Sequence, residues 1–191
     1  MALIVNNWGE SENGPRPTPD PRVSAVVPAM GVTVSMPMGC PPQAFWDLIT
    51  SVERIGEFSP ECAEAWWVDG FPAHAVGGRF EGRNRRETEG EIYEWTRPCD
   101  VVAYDPPRHF AYTVGDRFDG TAASRWTFRI KPSESGCVVE QHFEHLPDGL
   151  SGLRLRAEQV DDAEALIAWR RTMLRDGMTQ TLEHIRRVLE A

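Results

Sequence analysis

The chain has 191 residues, 41% of them hydrophobic, and a formal net charge of −9 with a pI of about 5.1. That length suits one domain with a tail, and the apolar share is enough to bury a sizeable core. Positive charge is scattered arginine, with Lys131 the only lysine; this argues against nucleic acid or an anionic membrane as the main partner, because both reward clustered cations.

Residues 1–29 read as a disordered, Pro-rich leader, and residues 30–191 as the folded domain. The stretch from Asn13 to Pro21 carries four prolines, which remove backbone donors and favour extended chain. Met1–Val5 lacks a basic n-region and a long apolar stretch, so it is not a signal peptide. No window approaches the roughly 20 apolar residues of a membrane span. A soluble, cytoplasmic protein is expected.

Order begins near Val32, where Val32-Thr33-Val34-Ser35-Met36 alternates as a half-buried strand does. Pro41 and Pro42 suit the first turn of a helix, and Phe45, Leu48, Ile49 and Val52 give it one apolar face. A short helical turn follows to Phe58 and ends before Ser59-Pro60. Strand-like segments then succeed one another at 65–68, 78–85, 91–104, 109–114, 124–130 and 137–146, separated by Gly, Asp and Pro turns. Short links between consecutive strands predict an antiparallel meander, because parallel βαβ units need a helix at every crossover.

The period changes at the C-terminus. Asp161 and Glu164 have capping-box spacing, and Leu166, Trp169, Met173, Leu174, Met178, Leu182, Ile185 and Leu189 mark one long apolar stripe. Gly177 weakens that helix by about 1 kcal/mol relative to Ala; either backbone or ligand approaches closely there, or it is a plain weak spot. A lone amphipathic helix of this length must bury its stripe, and the concave face of the preceding sheet is the only large candidate.

Several local strings carry a resemblance. Cys40-Pro41-Pro42-Gln43-Ala44-Phe45-Trp46-Asp47-Leu48-Ile49, Phe58-Ser59-Pro60-Glu61, and the run Gly77 to Arg85 around Phe80 and Asn84 are three of them. Trp95, the run Tyr104 to Tyr112, Trp126-Thr127-Phe128, and Gly177-Met178 with Thr181-Leu182 continue in order. Together they resemble the START-like (SRPBCC, birch-pollen-allergen-like) superfamily, nearest its polyketide cyclase/dehydrase branch, over about residues 32–190. The resemblance implies an α+β helix-grip fold: a curved antiparallel sheet of about seven strands around a long C-terminal helix, with two short helices after the first strand. It implies a cavity for a hydrophobic, aromatic, polyketide- or lipid-like small molecule, with polyketide cyclase or dehydratase activity as one version. The alternatives are a non-catalytic carrier or sensor and a protein-interaction module, since one fold hosts many functions. The link from Pro147 to Val160 is longer than that branch shows, and suits an extra helical turn or a lid.

Strand alternation supplies the candidate site. Arg83 or Arg85, Asn84, Trp95, Tyr112, Arg125 and Gln141 are polar or amphipathic groups on strands expected to line or rim the cavity. Arg83 is a candidate to polarise a carbonyl and Tyr112 a candidate to move a proton. The competing reading puts these arginines on the wetted convex face, paired with Glu81, Glu87 or Glu89. Phe80, Trp126, Phe128 and Phe143 are wall or core, and Met173 and Gly177 are their counterparts on the helix. His142 and Glu144 share one strand face while His145 takes the other, so no metal site forms locally. Cys40, Cys62, Cys99 and Cys137 have no CxxC spacing and read as free thiols. No cofactor or metal is implied, and the protein is expected as a monomer or homodimer.

Overall fold

The structure is a computed structural model and describes residues 16–21, 23, 27, 30–88 and 90–191. Seven strands form one antiparallel sheet: β1 (Gly31–Met38), β2 (Cys62–Trp67), β3 (Arg79–Thr88), β4 (Glu91–Asp105), β5 (His109–Gly115), β6 (Ala122–Ser133) and β7 (Gly136–His145). The order across the sheet is β1-β7-β6-β5-β4-β3-β2. From β2 to β7 every strand pairs with its successor, the meander that the short links predict. β1 returns along β7, with Val32 opposite Phe143 and Val34 opposite Gln141.

Between β1 and β2 lie helix α1 (Pro42–Thr50) and a 3₁₀ helix (Val52–Glu57). Pro42 occupies the first turn of α1, where a missing N–H costs nothing, and Phe45, Trp46, Leu48 and Ile49 form its buried side. The link after β7 contains helix α2 (Gly152–Ala157), capped by Ser151, which accepts from the Arg154 backbone N–H. The chain ends in helix α3 (Ala163–Leu189). This is the helix-grip arrangement.

The cap of α3 lies one residue later than the sequence suggests. Asp162, not Asp161, accepts from Ala165 N at 2.8 Å. That register places Ala165 three residues beyond the cap, so Glu164 is not in capping-box position. The stripe of α3 also has a gap. Leu166, Ile167, Leu174, Met178, Leu182 and Ile185 are buried, but Trp169 and Met173 are 36% and 44% exposed.

The core itself is divided in two, and along α3 the division falls beyond the gap, between Met178 and Leu182. One cluster joins α1, the sheet and the C-terminal half of α3 through Phe45, Phe80, Phe128, Leu182 and Ile185. The other joins Val32, Phe143, Leu153, Leu166, Leu174 and Met178. Each fully buried aliphatic or aromatic side chain contributes about 1.5–3 kcal/mol.

The expectation of a free leader does not describe Arg16, Val23 and Val27. Val23 and Val27 are buried in the second cluster. Arg16 bonds Asp119 at 2.6 Å and the carbonyl of Asp148 at 2.7 Å, and pairs with Asp116 at 3.1 Å. Apolar side chains and a salt-bridging arginine give this segment a surface to hold that a count of prolines does not reveal. Residues 1–15 lie outside the described residues.

Candidate functional site

Between the two clusters lies a cavity of about 530 Å³, a volume suited to a small organic ligand. Its floor is the concave face of the sheet, and alternation fixes which side chains reach it. On β3 the inward residues are Phe80, Gly82, Asn84 and Arg86; on β4, Tyr93, Trp95, Arg97 and Cys99. Tyr112 and Val114 enter from β5, Ser124, Trp126 and Phe128 from β6, and Gln141, Phe143 and His145 from β7. Helix α3 supplies Arg170, Met173, Leu174, Gly177, Met178 and Thr181. The roof is the link before α3, from Leu150 to Leu153.

The aromatic walls are interlocked. Phe80 meets Tyr112 edge to face with centroids 5.0 Å apart, and Trp126 meets Phe143 at 4.8 Å. Gly177 lies against Pro60, whose Cγ would stand 3.4 Å from a Cβ placed there. The glycine therefore seats the helix close to the segment that precedes β2.

Charged groups gather around Glu61, just before β2. Its carboxylate accepts from Arg86 at 2.8 Å and from both terminal nitrogens of Arg170 at 3.2–3.3 Å. Burial alone would raise the Glu61 carboxyl, but the Arg170 and Arg86 charges outweigh it and hold it below the usual range. A third of the Glu61 side-chain surface is nevertheless open, as befits a group on a cavity wall. Burial, followed by repulsion from Arg170 and Arg154, pushes His145 down to about 4, so its imidazole is neutral at neutral pH. Burial also pushes the Tyr112 phenol well above its ordinary value, which keeps its proton and makes it a donor. The Cys62 thiol is pushed up to about 11 and Cys99 also upward, again by burial, so neither presents a thiolate.

Two buried atoms on the β7 wall have no hydrogen-bond partner among the described residues: Gln141 Oε1 and His145 Nδ1. Buried polar groups are ordinarily bonded, so this wall carries bonding capacity that the protein leaves unused.

The cavity collects Phe80, Asn84, Trp95, Tyr112, Trp126, Phe128, Gln141, Phe143, Met173 and Gly177, the residues that sequence patterning points to. It does not collect Arg83, the suggested carbonyl polariser. Arg83 has the opposite parity to Phe80, stands exposed, and pairs with Glu64 at 2.6 Å. Arg85 is exposed as well, and Arg125 is turned to Glu144 at 2.7 Å. The carboxylates that pair with Arg83 and Arg125 are Glu64 and Glu144 on the neighbouring strands, and Glu89 lies outside the described residues.

Sequence reasoning passed over Glu61, Arg86, Arg170 and His145. Parity was the available signal: Arg86 follows Phe80 and Asn84 on one face, and His145 follows Gln141 and Phe143. His142 lies on the outer face, bonded to Thr33 Oγ1 at 2.8 Å. Among the described residues, no group of three or more His, Cys, Asp or Glu is placed to hold a metal. No described helix is long and apolar enough to cross a membrane.

Residues 30–190 match the family described as polyketide cyclase / dehydrase and lipid transport. The chain belongs to this family. Among solved structures it is similar to the Polyketide_cyc-like protein Cgl2372 from Corynebacterium glutamicum, at 28% identity over 84% of this chain and 91% of that one, with a TM-score of 0.58. It is also similar to MLL2253 from Mesorhizobium loti, at 18% identity over 84% and 97% and a TM-score of 0.57. A third likeness is to the di-domain ARO/CYC StfQ of the steffimycin biosynthetic pathway: 12% identity, 84% of this chain and 50% of that one, TM-score 0.62. The last two show the shared fold alone. No curated protein matches the sequence.

Proposed function

We propose that this family member binds a hydrophobic, ring-bearing small molecule, aromatic or polyketide-like, between its sheet and α3. The observation that carries this reading is the cavity of about 530 Å³, walled by Phe80, Trp95, Trp126, Phe128 and Phe143 and supplied with a few polar groups. Apolar enclosure provides affinity, and sparse polar groups fix orientation. Aromatic walls favour flat rings over a flexible acyl chain, because offset and edge contacts between rings add to simple area burial.

Catalysis of cyclisation or dehydration is a second reading, favoured by one specific pairing. A neutral imidazole, His145, and a protonated phenol, Tyr112, line the same chamber and offer a proton acceptor and a donor. Arg83 has no part in it.

Native mass spectrometry of protein purified from its own host tests the binding reading. A co-purifying small molecule is expected, and displacing it should change tryptophan fluorescence, because Trp95 and Trp126 line the cavity. The absence of any adduct, together with no fluorescence response to a series of naphthalene and anthracene derivatives, would remove it. For the catalytic version, Tyr112→Phe and His145→Gln should each slow turnover of an aromatic polyketone without weakening its binding.

A further inference from the structure

We propose that the bound ring lies face-down on Gly82, and that this bare stretch of β3 is what positions a flat ring in the cavity. The proposal deepens the binding reading above and rests on it. It starts from the cost of the residue. Glycine inside a strand loses more conformational freedom on folding than other residues and packs no side chain. Gly82 nevertheless stands in the interior of the ten-residue strand β3, on its cavity face.

The reasons that ordinarily keep a glycine in such a place are absent among the described residues. Its φ lies outside the left-handed region. No bulge falls on it: Gly82 pairs with Ala65 on β2 and Arg97 on β4, and the β3–β4 register runs unbroken from Arg79 to Thr88. The slip on the β2 side lies between Cys62 and Glu64. No described backbone presses on it either. A Cβ at Gly78 would stand 2.4 Å from the Pro72 carbonyl oxygen, whereas a Cβ at Gly82 would meet only the Cys62 sulfur within 4 Å, at 3.7 Å. That is an ordinary contact, so crowding on the concave face does not require the missing side chain. Close approach of a molecule from outside the chain is the remaining reason for a bare backbone in a strand.

The surroundings suit a ring. Phe80 and Asn84 face the cavity on either side of Gly82, four residues or about 13 Å apart along the strand. Their partners on β4, Cys99 and Trp95, face it as well. Asn84 is tied to the edge of this seat, its Nδ2 donating to the Gly82 carbonyl at 3.3 Å. Other aromatic parts of the floor are engaged with each other, Phe80 with Tyr112 and Trp126 with Phe143. At Gly82 the floor is peptide backbone, which a ring face can approach to contact distance because no Cβ intervenes. A flexible acyl chain has no use for such a flat seat.

The test is a titration of the full chain with 2-naphthol, followed by tryptophan fluorescence and by NMR at Gly82. Protons beneath a ring face are shielded, so the Gly82 Hα resonances should move upfield and show NOEs to the naphthol ring. Gly82→Ala should weaken naphthol binding at least about tenfold, because one misfitted methylene in a hydrophobic pocket changes discrimination by about 10- to 200-fold. Its thermal midpoint should hold or rise by about 1–4 °C, since Ala loses less freedom than Gly in a strand. A merely structural glycine predicts the reverse pair, a lower midpoint and an unchanged affinity. A lower midpoint, an unchanged affinity, or naphthol binding without a shift at Gly82 would each overturn the proposal, and bound naphthol would leave the cavity reading intact. If naphthol does not bind, the Gly82 resonances are followed with the co-purified molecule instead. Ring contact there upholds the proposal, its absence overturns the proposal alone, and no bound molecule at all removes both readings.

Discussion

Arg154 is one of the largest fully buried side chains, 1% exposed, and it holds the cavity roof together. Its guanidinium donates to the carbonyls of Pro147 at 2.6 Å, Gly149 at 2.9 Å and Leu146 at 3.1 Å. Three bonds from a charged donor would contribute ~1.5–3 kcal/mol each in isolation. Burial opposes this; it lowers the arginine's affinity for its proton, and Nε has no partner among the described residues. Replacement by Met keeps the aliphatic stem but strands three buried carbonyls, so the loss should be about 3–5 kcal/mol, as when one partner of a buried polar pair is removed. Urea unfolding should register that loss as an earlier midpoint. Hydrogen exchange should quicken first at the amides of Leu150 and Leu155, which bond Asp116 and Ser151 within the same roof. Because Arg154 repels a proton from His145, Arg154→Met should also raise the His145 pKa from about 4. A loss below about 1 kcal/mol with unchanged exchange would refute the role assigned to Arg154.

Two further expectations follow from the same region. His145 has a folded pKa of about 4 against an ordinary value of 6.5, so the unfolded chain binds more protons between these values. Its contribution is complete above about pH 6.5 and is lost as pH falls to 4, on the order of 3 kcal/mol; the stability difference between the native protein and His145→Gln, measured at pH 7 and at pH 4.5, should shrink accordingly, and a constant difference would exclude a buried neutral imidazole. Gly149 approaches β6 so closely that a Cβ would stand 2.4 Å from both the Ala122 carbonyl oxygen and the Ala123 Cα; Gly149→Ala should cost about 1–3 kcal/mol by thermal unfolding, and a neutral result would mean that the roof sits further from the sheet than described.

The element pattern was readable because it follows from local chemistry. Period-two runs broken by Asp-Gly and Pro-Pro mark strands, and a sustained helical stripe marks α3. The closure of β1 on β7 was not local: Val32 and Phe143 are partners across more than half the chain, and nothing in either segment names the other. Arg83 shows where a readable signal was misapplied. Phe80 is buried, so residues 82, 84 and 86 share its face and 83 and 85 do not; parity alone separates Arg86 from Arg83. Glu61 was harder to foresee. It precedes the irregular start of β2, where pairing slips between Cys62 and Glu64, so no strand rule predicts its direction. The burial of Val23 and Val27 also escaped a reading dominated by prolines.

The cavity itself is written in the sequence as an interruption. On α3, residues 170, 173, 174, 177, 178 and 181 follow the three-and-one spacing of a single helix face. Four of them, Arg170, Met173, Gly177 and Thr181, are not the buried aliphatics found above and below. The sheet opposite has the same gap: Gly82 and Asn84 on β3, Ser124 on β6 and Gln141 on β7 stand where a solid core would carry Leu, Ile or Phe. Polar and small residues on both facing surfaces keep the two hydrophobic clusters from closing on each other. Leaving that space costs contact energy, which a protein selected for stability alone would recover by filling it. The interruption is also where Glu61, Arg86 and Arg170 meet, so the residues that hold the space open and those that give it charge occupy one site.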